Sequence, residues 1–154
     1  MGISKLTWGV KASFRGYVEG VGGSITLSDG ATRAEDGSFV LEAVPGGDLE
    51  IAEDGSATGT MRFQGTINFD AHGGMLKSTL SELGLDVGAD GLELTVLEAP
   101  MNQDRCTIAK LGAVEVNPDG TMTIGAEITL DGMFQIADNY PPGTELDAVV
   151  LELA

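Results

Sequence analysis

Hydrophobic and polar residues alternate along most of the chain, in short stretches that end at turn-forming residues. Within Thr58–Phe69, Met61 and Phe63 alternate with Arg62 and Gln64. A period of two residues is typical of a strand that buries one face. The same alternation, or a continuously apolar run, predicts further strands over Ser24–Leu27, Ser38–Val44, Asp48–Ala52, Leu92–Leu97, Thr107–Val116, Met122–Leu130 and Leu146–Leu153.

Asp-Gly dipeptides separate many of these stretches. They occur at Asp29-Gly30, Asp36-Gly37, Asp54-Gly55, Asp90-Gly91, Asp119-Gly120 and Asp131-Gly132. The Asp-Gly pair supplies the positive φ angles that tight hairpin turns require. Many short strands joined by such turns predict a mainly β fold, either an antiparallel β-sandwich or a barrel-like sheet.

The N-terminal segment departs from this pattern and predicts a helix. Thr7 is a suitable N-cap for a helix over Trp8–Glu19, and Gly20 stands where a C-cap glycine is expected. An apolar stripe follows helical spacing at Val10, Phe14, Tyr17 and Val21. A second, short helix is predicted over Met75–Leu83, although the same residues fit a strand equally well.

Composition and charge narrow the class of protein. The 154 residues suit one domain covering residues 1–154, and 42% hydrophobic with 21% charged residues is typical of a folded chain. The 24 acidic residues against 8 basic ones give a net charge of −16. Such a charge disfavours binding to nucleic acid and to anionic membrane surfaces.

The sequence also carries an expectation about location. No apolar run reaches the length of a membrane span, and the first residues lack the pattern of a signal peptide. As the chain stands we expect a cytoplasmic protein. If the chain is a trimmed mature form, we expect an extracellular or cell-surface one.

Sequence motifs give no support for an enzyme. The H-E-x-x-H, G-x-S-x-G and P-loop patterns are absent, and one histidine cannot build a three-histidine zinc site. The Asp-Gly turns lack the spacing of a calcium-binding loop. Acidic pairs such as Glu82 with Asp86, or Glu93 with Glu98, resemble solvated strand faces more than an acid and a base. The single Cys106 forms no intrachain disulfide and fits a small buried hydrophobe.

Two residues of the predicted helix and one histidine form the candidate site. Ser13 and Tyr17 stand four residues apart, so they share one helix face. A tyrosine at the edge of an apolar stripe usually packs on the core, but tyrosine is also one of the axial ligands that proteins offer to haem iron. His72, in the glycine-flanked segment Phe69–Gly74, fits either a solvated turn or a hydrogen-bonding partner of a ligand-bearing residue. The residues alone leave both interpretations open.

Two segments of the chain resemble a known family. The run Leu6–Tyr17 (LTWGVKASFRGY) resembles the opening signature of the HtaA domain, found in bacterial haem-uptake proteins. The run Phe63–Leu76 (FQGTINFDAHGGML) is similar to the aromatic, glycine and histidine segment of that family. The order and approximate separation of the two segments agree with the family, and the resemblance extends to about Ile136.

The resemblance implies a β-rich domain that binds ferric haem (ferric protoporphyrin IX) for transport or storage, with other haem-transfer proteins as partners. Tyr17 would correspond to the axial iron ligand, His72 to the histidine that hydrogen-bonds this tyrosine, and Ser13 to the serine that contacts a haem propionate. Because the chain is acidic and propionates are anionic, Lys11 and Arg15 are expected to offset the local field. Two alternatives stand beside this one: the same fold binds another hydrophobic ligand, or it is a structural or interaction domain that has lost haem binding.

Overall fold

Strands dominate the structure, a computed structural model that describes residues 3–52, 56–88, 91–97, 105–136 and 140–153. The strands are β1 Ile3–Trp8, β2 Ser24–Ser28, β3 Thr32–Arg33, β4 Phe39–Glu42, β5 Glu50–Ile51, β6 Ala57–Thr58, β7 Thr60–Arg62, β8 Thr66–Ala71, β9 Leu76–Gly88, β10 Gly91–Leu97, β11 Arg105–Val116, β12 Met122–Ile128 and β13 Glu145–Leu153. The helices are α1 Ala12–Gly20 and α2 Leu130–Gln135, and a single 3-10 turn spans His72–Gly74.

The main antiparallel sheet nearly closes into a barrel. Its strand order is β2-β8-β9-β10-β11-β12-β13-β1-β4-β3, and β7 pairs with the C-terminal half of β9. The two sides of the sheet meet where Ala43, just after β4, bridges Phe63, just after β7. Beside this bridge the Val44 N–H donates to the Arg62 carbonyl at 2.8 Å. The mainly β prediction is therefore confirmed in its barrel-like form, with β5 and β6 forming a separate ribbon.

Aromatic rings fill the barrel beneath α1. Phe69 of β8 packs against Phe14 of α1 and Phe39 of β4, with ring centroids 4.9 and 5.9 Å apart. All three rings are buried, as is Trp8 at the end of β1. Full burial of one large apolar side chain stabilises a fold by roughly 1.5–3 kcal/mol, so the inner face of α1 is firmly anchored.

The two ends of the barrel differ. At the helix end, where β1 and β8 finish and β13 begins, α1 follows directly on β1. At the ribbon end, a pocket of about 380 Å³ lies between the β5–β6 ribbon and the apolar residues Ile3, Met122 and Leu153. Ile3 and Met122 begin their strands and Leu153 ends β13, so this pocket lies at the opposite end from α1.

The predicted start of the N-terminal helix is wrong. Trp8 is the last residue of β1, and the helix begins only at Ala12. Val10 between them has a left-handed φ of 62°, which turns the chain out of the strand. Thr7 therefore lies within the strand, and Lys11 occupies the N-cap without a side-chain cap bond. Sequence pattern missed this because the sheet pairing of β1 with β4 and β13 overrides the local helical spacing.

The predicted apolar stripe and C-cap of this helix are corrected as well. Phe14 and Val18 are the buried helical residues, whereas Tyr17 and Val21 are exposed. Gly20 is the last helical residue, and the left-handed glycine that reverses the chain is Gly22, with a φ of 79°. Tyr17 thus lies outside the core rather than within it.

The second predicted helix is also wrong, and its strand alternative is right. Met75–Leu83 runs into the long strand β9, which forms a hairpin with β8. A second short helix is present, but at α2, where it contains Asp131-Gly132 and so removes the turn predicted there. Asp29-Gly30 does form a turn with positive φ at both residues. Asp54-Gly55 and Asp90 lie outside the described residues.

Candidate functional site

Tyr17 and His72 meet at the helix end of the barrel. The Tyr17 hydroxyl lies 2.5 Å from the Nε2 atom of His72, within a hydrogen bond. The two rings are tilted, with centroids 5.6 Å apart. Tyr17 is 48% exposed, so its phenol is accessible from outside the barrel. Ser13 lies one helical turn earlier and is also exposed.

A strained hairpin turn carries His72 to this position. His72, Gly73 and Gly74 all have left-handed φ angles, of 55°, 64° and 96°. Only glycine adopts such angles without cost, so the two glycines allow the tight reversal between β8 and β9. Histidine is among the side chains that tolerate this region, and here it occupies the first of the three positions.

Close backbone packing fixes the helix against the hairpin. A Cβ atom at Gly23, just after α1, would lie 2.4 Å from the Asp70 carbonyl oxygen and 2.7 Å from the Val18 carbonyl oxygen. Glycine is therefore required where the end of α1, the start of β2 and the end of β8 converge. Together with the Phe14–Phe69 contact, this convergence places the outward face of α1 beside the hairpin turn.

An apolar rim, which we define as Val21, Met75, Leu130 and Phe134, lies exposed at the same end of the barrel. Met75 is 90% exposed and Phe134 is 68% exposed. The residues of the rim come from the end of α1, the β8–β9 turn and α2. A hydrogen bond that the Ser78 hydroxyl donates to the Gln135 carbonyl connects β9 with α2. Exposed large apolar side chains at one end of a domain are candidates for a binding surface.

The link between β1 and α1 is organised by Asp147 of β13, a residue that the sequence did not single out. Its carboxylate accepts the Ala12 N–H at 3.0 Å and an Arg15 N–H at 2.8 Å. Its carbonyl accepts the Trp8 indole N–H at 2.8 Å. No local motif could reveal this residue, because its partners stand at the other end of the chain.

Arg15, which was expected to offset the charge of the propionates together with Lys11, makes three polar contacts within the protein. Its guanidinium is held by Asp147, by the Gly9 carbonyl at 2.7 Å and by the Asp36 carbonyl at 3.3 Å. Lys11 is differently placed. Its ammonium donates to the Glu145 carbonyl at 2.8 Å and lies 5.8 Å from the centroid of the Tyr140 ring, without a carboxylate partner among the described residues.

Two of the four acidic residues weighed above, Asp86 and Glu93, make hydrogen bonds or ion pairs within the sheet. Asp86 pairs with Arg62 at 2.9 Å and accepts the Thr95 hydroxyl at 2.7 Å. Burial opposes the charge of Asp86, but the hydrogen bonds from Thr95, Arg62 and Thr60 prevail and lower the pKa of its carboxyl. Glu93 accepts a hydrogen bond from the Thr107 hydroxyl. Glu98 lies outside the described residues.

Across the described residues, three or more His, Cys, Asp or Glu side chains never gather into a group that could hold a metal ion. In that same part of the chain, no helix is long and apolar enough to cross a membrane.

Fold and site together define a barrel-like β domain with an accessible tyrosine–histidine pair at its helix-capped end. The chain belongs to the HtaA family, described as "Htaa", whose model matches residues 4–152. The match runs beyond Ile136, where the resemblance read from the sequence ended. No curated protein matches the chain in sequence.

Solved structures of similar fold come from Corynebacterium glutamicum. The C-terminal domain of HtaA is 27% identical with a TM-score of 0.74, covering 97% of this chain and 96% of that one. The N-terminal domain of HtaA is 23% identical with a TM-score of 0.75, covering 100% and 99%. The heme-binding protein HtaB is 16% identical with a TM-score of 0.66, covering 99% and 92%.

Proposed function

We propose that this chain binds ferric haem, with the Tyr17 phenolate as axial ligand, and holds it for transport or storage rather than for catalysis. The observation that carries the proposal is the 2.5 Å contact between the Tyr17 hydroxyl and His72 Nε2 beside an exposed apolar rim. Membership of the HtaA family supports it, since HtaB, a protein of the same fold, binds heme.

The phenol must lose its proton to serve as a ligand, and His72 is placed to assist. Bound haem supplies a ferric iron, whose positive charge favours an anionic oxygen. His72 with a proton on Nε2 donates to the phenolate oxygen and so stabilises the anion. His72 stands in the left-handed turn between β8 and β9, and its Nε2 atom lies 2.5 Å from the Tyr17 hydroxyl.

The surrounding side chains suit the remaining parts of a haem molecule. The apolar rim offers Phe134 and Met75 as cover for a flat, apolar porphyrin face. The Ser13 hydroxyl, one turn before Tyr17, is available to donate to a propionate. An accessible rim also suits transfer of the ligand to another haem-transfer protein, because the site can be reached without unfolding the barrel.

Titration with ferric haem tests the axial ligand directly. Tyr17→Phe is expected to lose the tyrosinate absorption signature and most of the affinity. His72→Ala should keep the signature but bind roughly 10- to 150-fold more weakly, the loss of one charge-assisted hydrogen bond. Tyr140→Phe is the matched control, since Tyr17 and Tyr140 are the two tyrosines of the chain. A Tyr17→Phe protein with wild-type spectrum and affinity contradicts the assignment.

The pocket at the ribbon end supports a second candidate function, the binding of a hydrophobic ligand smaller than haem. Its volume of about 380 Å³ falls at the low end of ligand pockets, and Ile3, Met122 and Leu153 give it an apolar lining. A thermal-shift screen separates the two functions. Stabilisation by an aliphatic compound that Met122→Arg abolishes, with no stabilisation by haem, would favour this second candidate.

A further inference from the structure

We propose that Asp147 is a positioning residue for haem binding, because it sets the start and orientation of α1 and thereby holds the Tyr17 phenol against His72. This inference rests on the function proposed for Tyr17. Asp147 itself touches neither Tyr17 nor the apolar rim among the contacts of the described residues.

Every polar part of Asp147 engages the chain around the β1–α1 link. One carboxylate oxygen accepts the Ala12 N–H at 3.0 Å, and the other accepts the Arg15 guanidinium at 2.8 Å. Its carbonyl accepts the Trp8 indole N–H at 2.8 Å, and its N–H donates to the Val10 carbonyl at 2.9 Å. These four bonds join β13 to both sides of the link between strand and helix.

The carboxylate performs the capping that the local sequence does not provide. Lys11 occupies the N-cap and makes no side-chain cap bond, so the first-turn N–H of Ala12 depends on Asp147. An anion at a helix N-terminus is also favoured by the helix dipole. The helix is thus started and oriented from a strand more than a hundred residues away in sequence.

The chain between β1 and α1 is tightly packed, and its backbone conformation is constrained at Gly9 and Val10. A Cβ atom at Gly9 would lie 2.2 Å from an Arg15 nitrogen and 2.5 Å from an Asp147 carboxylate oxygen. Val10 adopts a left-handed φ of 62° while fully buried, which is rare for a β-branched residue. A strained backbone conformation of this kind persists only where the surrounding contacts hold it in place.

Helix α1 connects the β1–α1 link to the candidate site, so the orientation of the helix affects the position of Tyr17. Arg15 and Tyr17 stand two residues apart on α1, so any rotation of the helix that releases Arg15 also moves the phenol. Hydrogen bonds weaken steeply with distance and angle, so a small rotation is enough to separate Tyr17 from His72. The expected consequence is a loss of haem affinity without any change at the ligand residues themselves.

NMR on the ligand-free protein tests this positioning, because His72 is the one histidine and its ring signals are unambiguous. In Asp147→Ala, the His72 signals at fixed pH should move toward those of Tyr17→Phe. Haem affinity should fall roughly tenfold, as expected for one charge-assisted hydrogen bond. Asp147→Asn retains an acceptor for the Ala12 N–H and should give an intermediate result.

Asp86→Ala is the matched control for lost stability. It breaks a comparable pair, Arg62–Asp86 at 2.9 Å against Arg15–Asp147 at 2.8 Å, and both pairs are partly exposed. This control should leave the His72 signals in place.

An Asp147→Ala protein that loses stability but keeps wild-type His72 signals and haem affinity overturns the inference. If that variant does not fold, Asp147→Asn and Gly9→Ala decide the question by the same signals. If the wild-type protein does not bind haem, the proposed function fails, whereas the NMR comparison still decides whether Asp147 positions Tyr17.

Discussion

At the scale of single residues, the proposed function requires a cation near the haem propionates, since an acidic protein is proposed to bind an anionic ligand. The chain has 8 basic residues. Three arginines are held in ion pairs with carboxylates, namely Arg15, Arg33 and Arg62. Lys5, Lys77, Arg105 and Lys110 lie on strands of the barrel wall. Lys11 remains as the cation at the start of α1, two residues before Ser13.

Lys11→Met is therefore expected to weaken binding of haem but not of its uncharged dimethyl ester. An ammonium has three donors, and the bond to the Glu145 carbonyl uses one of them. Because Lys11 is partly exposed, its contribution to haem affinity should be about fivefold. The ratio of the two affinities, measured by titration, checks this expectation.

Lys77→Met is the control for this measurement. Lys77 lies beside the hairpin turn but next to the buried Ser78 on β9, so it is on the outer face of the wall. It removes the same charge from the same end of the barrel. Equal losses of haem affinity in the two variants would show that general charge, and not the place of Lys11, controls binding.

The resemblance to the HtaA family predicted that Tyr17 and His72 lie together, and the structure brings them into contact, but the resemblance gave no sign of the residues that support them. Ser13 and Tyr17 are related by helical spacing, and His72 stands in a recognisable glycine-flanked segment, so each carries a local signal. Asp147 carries no local signal, because its contacts depend on where β13 begins relative to the end of β1. The contacts of Arg15 with Asp147 and with the Gly9 and Asp36 carbonyls could not be predicted for the same reason.

At the scale of elements, α2 depends on Thr129. The Thr129 hydroxyl accepts the Gly132 N–H at 3.0 Å as a helix cap, and it donates to the Thr107 carbonyl on β11. One side chain therefore both starts the helix and ties it to the barrel wall. Since α2 carries Leu130 and Phe134 of the apolar rim, its attachment matters for the proposed site.

Thr129→Ala is expected to lower the free energy of unfolding by about 1 kcal/mol, the usual cost of a lost cap, and to weaken haem binding. Denaturant unfolding and haem titration measure the two effects. Thr121→Ala serves as a control, because the Thr121 hydroxyl bonds to Asp119 in the β11–β12 turn. Haem affinity that falls no further in Thr129→Ala than in this control would separate α2 from the site.

Element boundaries show where local pattern is overridden by pairing. The strands over Leu92–Leu97 and Leu146–Leu153 were predicted almost as found, because their alternation has no competing signal. The local spacing predicts a helix from Trp8, whereas Trp8 is the last residue of β1. Only the hydrogen bonds to β4 and β13, which are non-local, select the strand.

At the scale of the whole molecule, closure of the barrel depends on β7. This strand is three residues long and pairs with the C-terminal half of β9 before the chain reaches the Ala43–Phe63 bridge. Arg62 of β7 is tied to Asp86 of β9, which in turn accepts the Thr95 hydroxyl of β10. A single carboxylate thus links three neighbouring strands at the seam.

This carboxylate should make the seam sensitive to acid. The pKa of Asp86 is lowered in the folded state, because the bonds from Thr95, Arg62 and Thr60 outweigh the effect of burial. A lowered pKa means that folding favours the charged form, so its contribution is complete above the ordinary carboxyl pKa of about 4 and is lost as the pH falls below it.

The variant Asp86→Asn has no carboxylate at this position, so its stability lacks this contribution at every pH. The difference in unfolding free energy between wild type and Asp86→Asn should therefore be constant from about pH 7 to 6 and shrink below about pH 4. Denaturant unfolding across this range measures it, and a difference that stays constant or grows in acid would contradict the role given to Asp86.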